Sequence, residues 1–144
     1  MKLLSLFGVL LLGLSGCAAT SAPVGEPGNR SDKGTVYFYR NTDYEGQETD
    51  FLVKENGTTI GKLGNGTYFY HYAAPGRQFY AVVPESADVT GKENGRFVMV
   101  VAGESHYVQA IAQQTPYTVR ALVYVKYPQQ ARPAIKRLTY RDGR

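Results

Sequence analysis

The chain has 144 residues, with 16 Lys and Arg against 12 Asp and Glu, for a net charge of +4. It holds one cysteine, two histidines, twelve tyrosines and no tryptophan. One cysteine excludes a disulfide within the chain and a multi-thiolate metal site, and so mild a positive surplus does not require nucleic acid as a partner.

The first element is a leader. Lys2 supplies a positive start, and Leu3–Leu14 is mostly apolar. That run is too short to cross about 30 Å of hydrocarbon as a helix and reads as a signal-peptide core over residues 1–16. Leu14-Ser15-Gly16-Cys17 looks like a bacterial lipobox, which predicts cleavage between Gly16 and Cys17 and acylation of the Cys17 sulfur. The competing reading, an ordinary secretory signal with an incidental cysteine, leaves unexplained why the only cysteine stands where the motif needs it. Two or three acyl chains on one residue would anchor the chain stably, and loss of Lys2 with the leader leaves a charge of +3.

Residues 17–33 are small or polar, with Pro23, Pro27 and Gly28, and predict a flexible tether. Its sixteen residues after Cys17 would hold a domain on the order of 20–25 Å from the membrane.

Strand signals follow from residue 34. Gly34–Arg40 places Val36 and Phe38 on one face and Tyr37 and Tyr39 on the other, as in a central strand covered on both sides. Residues 41–47 read as a loop. Phe51–Lys54 alternates again, and Asn56-Gly57 predicts a tight hairpin turn into Thr59–Leu63. Gly64-Asn65-Gly66 turns into Thr67–Tyr72, and Ala74-Pro75-Gly76-Arg77 turns into Gln78–Val83. Glu85–Gly95 is polar and predicts a mobile loop. Arg96–Val101, Ser105–Ile111 and Val119–Val125 complete the set.

Seven or eight such strands, spaced about ten residues apart, predict an all-β domain over residues 34–127. The expected architecture is an antiparallel β-sandwich or a partly open barrel. Residues 128–144 form a basic tail in which Pro133 limits any helix to a turn or two.

Several of these segments resemble a family. Gly34–Arg40 is similar to the opening strand of the small bacterial lipoproteins grouped as domain of unknown function 2846. Asn56-Gly57 with Ile60-Gly61-Lys62-Leu63, Gly66-Thr67-Tyr68 and Ala74-Pro75-Gly76 extend the likeness, and Ala102–Val108 resembles the strand start after the family's long loop. It covers about residues 34–126. The middle hairpins also resemble PEGA-type surface domains, although Pro75 is followed directly by Gly76. The resemblance implies an envelope β-domain and brings no catalytic residue. Ala18 after the anchor, in the enterobacterial sorting that this resemblance invites, implies the periplasmic face of the outer membrane.

Candidate chemistry is sparse. Glu104-Ser105-His106 sets a carboxylate, a hydroxyl and an imidazole side by side, but neighbours on a strand point to opposite faces and cannot converge as a triad. His71 and His106 are too few for a zinc site without carboxylates supplying most ligands. The reading is therefore no catalytic residue, no metal and no cofactor. Tyr68, Tyr70 and Tyr72 share one strand face, either as a stacking platform for sugars or peptides or simply as sheet cover. Lys126, Arg132, Lys136, Arg137, Arg141 and Arg144 form a basic cluster opposed only by Asp142. It predicts either a solvated tail or a contact with anionic headgroups or an acidic partner. The functional expectation is a non-catalytic, membrane-anchored envelope lipoprotein that docks on an envelope protein. The alternative is a ligand-binding module for cell-wall glycan or anionic lipid, and nucleic acid is not expected.

Overall fold

Period-two alternation decides which side chains are buried. Val36 and Phe38 are fully buried, as are Phe51 and Val53 on the second strand, and together they face a common core. The computed structural model describes residue 27, residues 30–86 and residues 93–143. The leader, Gly16, Cys17, Arg144 and residues 87–92 of the expected mobile loop lie outside the described residues. Of the expected tether, residues 27 and 30–33 are described. Lys33 already meets the domain, accepting a hydrogen bond from the Gly103 N–H at 2.9 Å.

In chain order the strands are β1 (Gly34–Tyr39), β2 (Phe51–Glu55), β3 (Thr58–Leu63), β4 (Thr67–Ala73), β5 (Gly76–Pro84), β6 (Gly95–Val100), β7 (Ser105–Gln114) and β8 (Val119–Lys126). A helix α1 (Pro128–Ile135) and a two-residue strand β9 (Thr139–Tyr140) follow. They build a five-stranded sheet in the order β8-β7-β1-β4-β9 and a four-stranded sheet in the order β3-β2-β5-β6. The fold is an all-β sandwich, and no barrel closes. As its two covered faces predicted, β1 sits at the centre of the larger sheet.

Two pairings depart from the antiparallel expectation: β1 runs parallel to β7, and β4 runs parallel to β9. The chain leaves the larger sheet after β1, forms β2 and β3 in the other, and returns as β4. It crosses over and back again before β7. Alternation in the sequence records which face a residue takes, and carries no record of these crossings.

The Asn56-Gly57 turn forms as its residues require. Asn56 and Gly57 both take positive φ, 48° and 88°, as a two-residue hairpin turn of this hand requires. The core between the sheets is aromatic at its centre, with the Phe38 ring 5.2 Å from Phe69 and 5.0 Å from Tyr80. The Phe69 ring lies over Gly61 of the opposite sheet, where a Cβ would come within 2.5 Å of it.

The C-terminal stretch folds onto this frame. Pro128 starts α1 at a position where its missing N–H costs nothing, and Pro133 leaves it about two turns long. Ala131 is fully buried against Tyr39 and Tyr107 on the outer face of the larger sheet. The chain then pairs with β4, and Lys62 of β3 donates its N–H to the Gly143 carbonyl at 3.1 Å. Residues 141–143 thus bridge the edges of the two sheets. Among the described residues, no helix is long and apolar enough to cross a membrane.

Candidate functional site

The outer face of the larger sheet is paved with tyrosine because register aligns three strands of odd and even parity. Tyr37 of β1 stands opposite Tyr70 of β4 and Tyr107 of β7, and Tyr39 stands opposite Tyr68. The Tyr37 and Tyr107 rings stack at 5.2 Å, and α1 covers that end of the face. Tyr68 and Leu138, just beyond the helix, pack against the same cluster. Part of the tyrosine stripe is therefore sheet cover, beneath a helix that the sequence placed no further than the tail.

The other end is open. β9 pairs only with Thr67 and Tyr68, and Arg141 donates its N–H to the Tyr68 carbonyl at 2.9 Å before the chain departs for β3. Beyond that departure lies a groove of about 560 Å³, walled by Tyr70 and Tyr72 of β4, Tyr140, Asp142 and Ile60 of β3. Tyr70 stacks on Tyr140 with centroids 5.7 Å apart and planes at 26°, and meets Tyr72 edge-on at the same distance and 67°. Burial, and then the neighbouring Tyr140 phenol and the Asp142 carboxylate, raise the Tyr70 hydroxyl above its usual range. Gly143 completes the wall where a Cβ would meet the Phe69 ring at 2.9 Å.

His71, whose alternation sends it inward, also lines this groove. Its Nε2 lies 3.3 Å from an oxygen of Glu55, which accepts a hydrogen bond from the Tyr80 hydroxyl at 2.7 Å. The three come from β4, β2 and β5, so this polar link joins the sheets. Tyr80 is fully buried, and burial followed by the Glu55 contact pushes its hydroxyl well above the tyrosine range. A phenol so held does not ionise near neutrality.

The remaining candidates are scattered. The His106 Nε2 accepts a hydrogen bond from the Val101 N–H at 3.0 Å, so it fastens a turn. The described basic residues do not form one patch. Lys126 lies 5.3 Å from the Tyr124 ring and Arg132 donates to the Tyr107 hydroxyl at 3.0 Å, both near α1. Lys136 and Arg137 are exposed after the helix, whereas Arg141 lies 3.7 Å from Asp50. Among the described residues, no three His, Cys, Asp or Glu side chains gather in a way that would hold a metal ion.

Arg40 was missed. It is 1% exposed, and its guanidinium donates to the carbonyls of Thr49 at 2.6 Å and Gly46 at 2.7 Å while lying 4.5 Å from the Phe51 ring. It gathers the loop after β1 around one cation. The signal was present: residues 36, 38 and 40 share parity, so the strand that buries Val36 and Phe38 also turns Arg40 inward.

No protein-family model matches the chain, and no curated protein matches it. The likeness to the domain-2846 lipoproteins rests on the strand and turn residues alone.

Proposed function

We propose that this chain is a non-catalytic, membrane-anchored lipoprotein of the cell envelope, held by acyl chains on Cys17 at the periplasmic face of the outer membrane. Its sandwich acts as a contact module for an envelope protein. The lipobox residues support the anchor. The observation that carries the contact role is the open groove beside Tyr70, Tyr72 and Tyr140, left where β9 covers only the start of β4. Aromatic rings with polar tips are the side chains that supply most contact area at low entropic cost.

A second reading, contact with anionic headgroups, is favoured by the exposed Lys136 and Arg137 beside α1. Cell-wall glycan stacked on the tyrosines is the remaining form of the ligand-binding alternative. A photo-crosslinking residue at position 70 or 136, introduced into the full chain in cells, tests the choice. Adducts with an envelope protein from position 70 support the contact module. Binding to anionic vesicles that fades with salt and needs Lys136 and Arg137, without adducts at position 70, replaces it with the headgroup reading. Salt-resistant binding to cell-wall sacculi that needs Tyr70 replaces it with the glycan reading.

A further inference from the structure

We infer that the groove beside Tyr70 accepts a guanidinium or primary ammonium group carried on an arginine- or lysine-bearing peptide. The inference rests on the contact-module reading and names the chemistry of the partner it would take.

Three observations point to a cation. The rings of Tyr70, Tyr72 and Tyr140 form a corner, one pair nearly parallel at 26° and the other steeply tilted at 67°. A cation placed in such a corner meets the negative faces of aromatic rings, an attraction that grows as water is excluded. The charge of the wall agrees: Asp142 contributes a carboxylate, Glu55 stands behind His71, and among the described residues no Lys or Arg belongs to the wall. Finally, the chain itself places a cation there. The guanidinium of Arg30, itself 3.4 Å from the Asp32 carboxylate, lies 5.0 Å from the centre of the Tyr72 ring, at the rim. It shows which kind of group this surface receives.

Strand geometry favours a peptide over a small amine. β9 pairs with Thr67 and Tyr68 alone, and no described strand runs beside Tyr70 on that side. An extended segment laid there would align with β4 and carry a basic side chain into the corner. Arg30 would compete for the same aromatic surface, so its side chain would weaken binding while it lies there.

The test titrates the full chain with acetyl-Gly-Arg-Gly-Arg-Gly-amide and with the same peptide carrying citrulline, the neutral isostere, at both arginine positions. Backbone NMR shifts report binding and confirm that each variant is folded. The expected result is saturable binding of the arginine peptide, with the citrulline peptide at least tenfold weaker. Tyr70→Ala and Asp142→Asn should each weaken it at least fivefold, while Tyr70→Phe, which keeps the ring face, should not. Arg30→Ala should tighten it by about two- to fivefold, the equivalent of one exposed cation–π contact. Equal binding of the two peptides, no binding of either, or arginine binding indifferent to both Asp142→Asn and Tyr70→Ala overturns the inference. If position 70 still crosslinks to an envelope protein in cells, the contact module survives that failure; if it does not, both fall.

Discussion

Tyr80 and Glu55 are joined by a 2.7 Å hydrogen bond in which a fully buried phenol donates to a carboxylate on the neighbouring strand. Glu55 also lies 3.3 Å from His71 of the opposite sheet, so one carboxylate links a core aromatic to the wall of the groove. The first prediction concerns pH. Folding raises the Tyr80 hydroxyl, chiefly through burial, above the unfolded value of about 10. Below that pH both states hold the proton and the stabilisation is complete. Above it the unfolded chain ionises first, so stability falls as pH rises, by up to about 1.4 kcal/mol per pH unit for this group. Urea unfolding between pH 8 and 11 should show the decline, and Tyr80→Phe should make it shallower. Tyr39 and Tyr70, also raised, should leave a residual slope.

Arg40→Met should destabilise the fold by about 2–4 kcal/mol, because the carbonyls of Thr49, Glu45 and Gly46 lose their donor in a buried site. Arg40→Lys should recover little of this. An ammonium lacks the planar fork that reaches several carbonyls at once and still lies on the Phe51 ring. The midpoint of urea unfolding measures both. A loss below about 0.5 kcal/mol for Arg40→Met would remove its role as the organiser of the loop.

Gly61→Ala should cost about 1–3 kcal/mol through overpacking. Its new Cβ would sit 2.5 Å from the tip of the Phe69 ring, which is itself buried against Phe38. The double variant Gly61→Ala with Phe69→Leu should lose less than the two single costs added together, which a double-mutant cycle reads directly.

Ala131→Asp should lift α1 from the tyrosine face. The residue is fully buried against Tyr39 and Tyr107, and a carboxylate there has no described partner to offset its desolvation. Limited trypsin digestion should cut after Lys126, Lys136 or Arg137 in the variant and spare the parent chain, with a stability loss of about 2–4 kcal/mol. Equal resistance in the two proteins would contradict the docked helix.

Cys17→Ala should abolish incorporation of labelled fatty acid into the chain in cells. Continued labelling would overturn the lipobox reading, and with it the proposed anchor.

Much of the fold was legible from residue 34 onward. Val36 and Phe38 against Tyr37 and Tyr39 announced a strand covered on both faces, and β1 is the central strand of its sheet. The candidate site was legible in part. Tyr70 and Tyr72 were identifiable as one face, but Tyr140 and Asp142, about seventy residues away, join them only because residues 139–143 return along β4. Tyr68, of the same stripe, meets the Tyr140 ring edge-on and packs with the cluster of Tyr39, Tyr107 and Ala131. The basic residues are close in sequence, yet the fold carries Arg132 onto Tyr107 of β7 and Arg141 to Asp50.

By itself the sequence determined the class of fold, the face taken by most strand residues and the Asn56-Gly57 hairpin, because each depends on residues within one strand or turn. Only the tertiary structure decided that β1 lies parallel to β7, that Arg40 closes a loop, and that the tyrosine face is covered at one end and open at the other. These depend on which strands become neighbours. A side chain's alternation fixes the face it takes, while its neighbours across the sheet depend on how the whole chain packs.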